Sequence, residues 1–153
     1  MNAKYEFVAG DEITIAPGRT LKRIRALVSI SYFVSTGALG GYIESEKCLD
    51  VSGNAWVYGN AQVYGNARVS GNARVSGNGL IFWASKVGRE NGTLTVYNTK
   101  ENEMEVIRGC FKGSVDEFLK ASEEKHDDQT HQEYRLLIEV AHSRITRARK
   151  DAK

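Results

Sequence analysis

Val51-Ser-Gly-Asn-Ala-Trp56, Val57-Tyr-Gly-Asn-Ala-Gln62, Val63-Tyr-Gly-Asn-Ala-Arg68, Val69-Ser-Gly-Asn-Ala-Arg74 and Val75-Ser-Gly-Asn-Gly-Leu80 are consecutive units of a six-residue repeat. Ile81 stands in phase to open a further unit, and the apolar phase reaches back twelve residues to Leu39. A strict internal repeat dictates architecture before any other signal. The β-branched valine is expected to point inward and fill a core. Gly-Asn is expected to turn a corner, because both residues tolerate left-handed backbone angles. Alanine can also face inward where space is tight, and the residues before Gly and after Ala should face solvent. A helix is excluded, since each recurring glycine would cost it about 1 kcal/mol. A plain hairpin meander would show two-residue alternation without this six-residue phase.

The Val-x-Gly-Asn-Ala-x pattern resembles left-handed β-helix proteins, the hexapeptide-repeat superfamily, over Leu39 to about Trp83. One departure is the Ser or Tyr after the valine, where that family often has Gly, Ala or an acid. The resemblance implies a left-handed triangular coil of three hexads, roughly 18 residues a turn and about two and a half turns in all. Residues one turn apart would stack about 4.8 Å apart. Trp56 would then lie over Arg74, Tyr58 over Ser76, Gln62 over Leu80 and Tyr64 over Phe82. So short a solenoid exposes both ends and needs flanking structure or identical neighbours.

Tyr5-Glu-Phe-Val8 and Ile13-Thr-Ile15 alternate as strands, with Gly10-Asp11 predicted as a turn between them. Pro17-Gly18 is a second turn, and Thr20 to Ile30 reads mostly as a strand. Arg23-Ile-Arg-Ala-Leu27, Leu39-Gly-Gly-Tyr-Ile-Glu44, Leu49 and the repeats together resemble the opening of small phage and prophage solenoid proteins. Beyond the repeats, Leu94-Thr-Val-Tyr97 and Glu105-Val-Ile107 predict a hairpin around Lys100 to Glu103. Ser114-Val-Asp-Glu117 and Thr130-His-Gln-Glu133 read as capping boxes of two helices. Tyr134, Leu137, Ile138, Ala141 and Ile145 form the apolar stripe of the second. The expected fold is mainly β: an N-terminal β cap over 1–38, a short left-handed β-helix over 39–83, and a hairpin plus two-helix lobe over 84–153.

Composition narrows the function. No apolar run approaches the ~20 residues of a membrane span, and the N-terminus lacks an apolar signal-peptide core. A cytoplasmic protein is the expectation, with Cys48 and Cys110 as free thiols. The net charge of +2 implies no partner by itself. Its distribution says more, because Val51 to Arg89 holds no Asp or Glu but carries Arg68, Arg74, Lys86 and Arg89. A locally basic surface attracts anions.

Catalysis has little to stand on. The resemblance implies trimeric acyltransferases with a histidine base on the solenoid or its loop. Here His126, His131 and His142 all lie in the helical tail, and no long loop interrupts the repeats. His126, Asp127, Asp128 and His131, with Cys110, have zinc-compatible types but match no zinc spacing, so no metal or other cofactor is assigned. Trp56, Tyr58, Tyr64, Arg68 and Arg74 are the candidate ligand-binding residues, because aromatic faces stack on bases and arginines grip phosphate. The same aromatics suit packing against a lobe or a partner subunit. The basic run Arg144 to Lys153 reads as a solvated helix end rather than a nucleic-acid reader. The expectation is a non-catalytic, homo-oligomeric phage-type solenoid, with a trimer favoured. It would hold a host protein or a small anionic ligand, with sequestration of a signalling nucleotide as counter-defence the specific version. An acyltransferase and a purely structural assembly protein are the alternatives.

Overall fold

In the computed structural model, which describes residues 2–30 and 34–151, Val57, Val63, Val69 and Val75 are fully enclosed. Ala55, Ala61, Ala67 and Ala73 lie inward with them. The corners turn at Gly-Asn, as expected, with both residues in the turn at 59–60, 65–66 and 71–72. Gly53, Gly59, Gly65 and Gly71 hold positive φ, whereas the asparagines after them do not. The correction is to asparagine's part in it: the left-handed backbone falls on glycine alone, because a Cβ makes that conformation costly and glycine has none.

The first unit runs to Asn78. Its strands are β1 (Tyr5–Ala16), β2 (Arg19–Ala26), β3 (Leu39–Ile43), β4 (Trp56–Val57), β5 (Gln62–Val63) and β6 (Arg74–Val75). β4 and β6 pair in parallel, Trp56 opposite Arg74 and Val57 opposite Val75, so partners stand 18 positions apart. β3 and β5 also pair in parallel, but Tyr42 faces Gln62 and Ile43 faces Val63, a spacing of 20. A third ladder sets Leu49 opposite Val69, again 20 apart. Three parallel ladders around one apolar interior make this unit a β-solenoid.

The change of spacing corrects two sequence-based assignments. Val51 is 47% exposed and Leu39 is 56% exposed, so neither is a core residue. Leu49 and Ile43, both fully buried, fill the inward positions instead. A 3-10 turn over Glu46–Cys48, with the Ser45 hydroxyl accepting from the Lys47 N–H, delivers Leu49 to the interior. Two extra residues then fit between Leu49 and Gly53, and Val51 is displaced outward.

β1 and β2 form an antiparallel hairpin about Pro17-Gly18, and β2 continues antiparallel onto β3. The sheet order is therefore β1-β2-β3-β5. Gly10-Asp11 is no turn: β1 runs through it, and a bulge between Phe7 and Glu12 absorbs the extra residues. β2 ends at Ala26, short of the Ile30 end expected for it. β3 approaches the coil closely because it carries Gly40 and Gly41. A Cβ on Gly41 would stand 2.5 Å from the Ala61 carbonyl oxygen.

The second unit begins at Gly79. It contains β7 (Ile81–Val87), β8 (Gly92–Asn98), β9 (Met104–Arg108), β10 (Phe111–Ser114), α1 (Val115–Lys125) and α2 (Asp128–Asp151). The four strands make one sheet in the order β10-β9-β8-β7, and its pairings are antiparallel. Ile81, in phase with the repeat, opens β7 opposite Tyr97 instead of another coil. The β8–β9 hairpin turns where the sequence predicts, with the Thr99 N–H donating to the Glu103 carbonyl. α1 carries its predicted capping box. α2 does not: the Asp127 carboxylate accepts the Thr130 N–H at 2.8 Å. Asp127 is the cap and Thr130 lies inside the first turn. A carboxylate next to a helix N-terminus gains from the helix dipole as well as the hydrogen bond. Phe118, Tyr134, Ile138, Ala141 and Ile145 meet Leu94 and Val96 in the core of this unit.

Candidate ligand-binding site

The five candidate residues do not converge. Trp56 faces Arg74 in register, yet it is only 1% exposed. Its ring meets Tyr5 edge-on, 6.4 Å between centroids. Its outer edge lies so close to β3 that a Cβ on Gly40 would approach it to 2.8 Å. Trp56 is a core residue of the first unit, which corrects its assignment as an outward stacking platform. The cause is the β1–β2 hairpin, whose Tyr5 and Ile24 enclose this side of the coil.

Tyr58 and Arg74 remain together on the surface of the β4·β6 ladder. The guanidinium lies 5.5 Å from the ring centroid. Partial burial pushes the Tyr58 phenol pKa up, and the Arg74 charge opposes that shift. Tyr64 follows β5 and lies under Arg19, 5.1 Å from its centroid. Arg19 also reaches Glu44 at 3.6 Å. Arg68 precedes the Leu49·Val69 ladder, so the three groups sit on three different stretches of the coil.

Arg68 does border a concavity. With Lys47, Asp50 and the corner Gly65-Asn66-Ala67 it lines a hollow of about 470 Å3. The Glu44 carboxylate accepts the Gly65 N–H at 2.7 Å and holds the corner in place. Asp50 offers its backbone carbonyl to the buried Lys4 ammonium at 2.9 Å. Lys47, Arg68 and Asp50 therefore border one hollow beside the Gly65-Asn66-Ala67 corner, to which the Glu44 carboxylate is bonded. Lys47 escaped the sequence reading because it precedes the repeat, and only the shifted first coil carries it to Arg68.

A second unforeseen cluster is structural. All five donors of Arg23 are used: on Asp11, on the Gly40 and Gly59 carbonyls, on the Tyr42 hydroxyl and on Asn60. The Tyr42 hydroxyl in turn donates to Asp11. Arg23 clamps the hairpin to the coil.

Among the described residues no group of three or more His, Cys, Asp and Glu is placed to hold a metal ion. His131 shares a hydrogen bond of 3.0 Å with the Ser122 hydroxyl. His126 lies against Tyr134, and Cys110 is exposed.

A family model described as "YdcK Beta solenoid repeat" matches residues 51–65, 61–77 and 67–81. That stretch is similar to a known β-solenoid repeat, in keeping with the parallel ladders. No curated protein and no solved structure matches the chain.

Proposed function

We propose that the first unit is a left-handed hexapeptide coil of phage or prophage type that binds a small anionic ligand without turning it over. The observation that carries this reading is the hollow of about 470 Å3 between Lys47 and Arg68. Its size falls within the roughly 300–1,000 Å3 of small-molecule sites. Arginine's planar fork suits phosphate oxygens and lysine adds a second point charge. Sequestration fits better than catalysis, because no histidine lies between Val51 and Trp83 to serve as a base.

Calorimetry with a panel of cyclic and linear nucleotides tests the reading. At least one is expected to bind, and Lys47→Ala/Arg68→Ala is expected to weaken it about tenfold or more, as loss of charge-assisted hydrogen bonds requires. Unchanged affinity in the folded double variant, or no binding across the panel, overturns the assignment. A protein partner is the second reading. It is favoured by the Arg74–Tyr58 pair, since arginine and tyrosine are typical interface anchors.

A further inference from the structure

We infer that the second unit carries its own site for a small aromatic or apolar carboxylate, in a cavity of about 350 Å3 bounded by the β7–β8 and β9–β10 turns, α1 and the first turns of α2. This site shares no residue with the solenoid hollow, and either reading stands without the other.

The wall of the cavity is aromatic. Phe111 meets Phe118 edge-on at 5.3 Å, and Phe118 meets Tyr134 edge-on at 5.1 Å. Phe111 is the half-buried ring that a flat apolar body can touch, with the buried Phe118 and Tyr134 packed behind it. The volume is near the low end of the roughly 300–1,000 Å3 seen for small-ligand sites. It suits one ring with a short acid arm.

The charge comes from Arg108, at the end of β9. Its Nε donates to the Tyr134 hydroxyl at 2.9 Å, and Tyr134 is itself only 1% exposed. The guanidinium also packs over Gly92, where a Cβ would stand 2.5 Å from its central carbon and 2.6–2.7 Å from its two terminal nitrogens. The group is thus held from two sides. Among the described residues, neither terminal nitrogen of Arg108 has a hydrogen-bond or ion-pair partner. Two parallel N–H groups on a fixed plane match a carboxylate. Lys125, in the last turn of α1, brings a second cation to the lining, and Glu90 brings one anion. That balance favours a monoanion over a polyphosphate.

The test uses the full chain, with 3-phenylpropionate as probe and its neutral amide as control. The acid is expected to shift the backbone amide resonances of Gly109 to Phe111 and of Ala121 to His126. It should also slow alkylation of Cys110 by iodoacetamide. Cys110 is exposed and Cys48 is fully buried, so labelling of the native protein reports on the cavity rim. The amide is expected to bind about tenfold more weakly, as loss of a charge-assisted pair implies. Arg108→Gln should have a similar effect, and Lys125→Gln a smaller one. If Arg108→Gln does not fold, the exposed Lys125→Gln and the acid–amide pair still decide. No shift at the cavity up to the solubility limit overturns the proposal. So does equal affinity for acid and amide, or unchanged affinity in the folded variants.

Discussion

Arg23 shows how one side chain fixes the relation between two elements. Its five hydrogen bonds reach β1, β3 and the Gly59-Asn60 corner. Lysine keeps the charge but not the planar fork, so several of these acceptors would lose their donor. Arg23→Lys is expected to cost about 2–4 kcal/mol of stability, read as a shift of the urea midpoint. A change within experimental scatter would show that the clamp contributes no net stability. Lys4 supplies a pH signature. Burial lowers its pKa to about 8, with the Asp50 charge opposing, from an ordinary 10.5. Between those two values the unfolded chain holds a proton that the folded chain has released. Stability from this group therefore rises with pH across that window, and its penalty is complete below it. Wild type should gain stability relative to Lys4→Met from pH 8 to pH 10. Parallel urea midpoints over that range would refute the assignment.

At the level of elements, the shifted first coil makes a sharp contrast. Val63 is fully buried and Val51 is 47% exposed, although both open a hexad in the sequence. Val63→Asp places an unpaired carboxylate in the interior and should cost about 3–5 kcal/mol or more. Val51→Asp should leave the thermal midpoint nearly unchanged. Equal damage from both would mean that Val51, not Leu49, occupies the core. The start of α2 offers a second contrast. Asp127 accepts the Thr130 N–H, and that bond holds its carboxyl below the usual range. Asp127→Ala is expected to lower the melting temperature, while Thr130→Ala is not. The reverse result would restore Thr130 as the cap.

On the scale of the whole molecule, each unit leaves large apolar side chains at its surface. Leu39, Val51 and Val28 are exposed on the first, and Leu136 and Val140 on the second. Exposed apolar groups of this size mark interaction surfaces when they gather. Together with the sequence's resemblance to hexapeptide-repeat proteins, they are the ground on which we propose a trimer. Light scattering should then report three times the 17.0 kDa chain. The mass of a single chain at working concentration would end the proposal. Among the described residues no helix is long and apolar enough to cross a membrane.

The parts legible in the sequence are those set by neighbours along the chain. The six-residue phase placed Val57 to Val75 inside. The 18-residue register came with the family resemblance and put Trp56 opposite Arg74. Ser114 and Glu117 announced the start of α1 because a capping box is complete within four residues. The rest depended on groups distant in sequence. Trp56 is buried because Tyr5 and Ile24 arrive from the hairpin, and Lys47 joins Arg68 because two extra residues enter the first coil. Arg108 gains its fixed orientation from Tyr134 on α2 and from the space left by Gly92. Periodicity says which way a side chain points; whether solvent, a hairpin or an aromatic wall stands there is decided only when the chain folds back on itself.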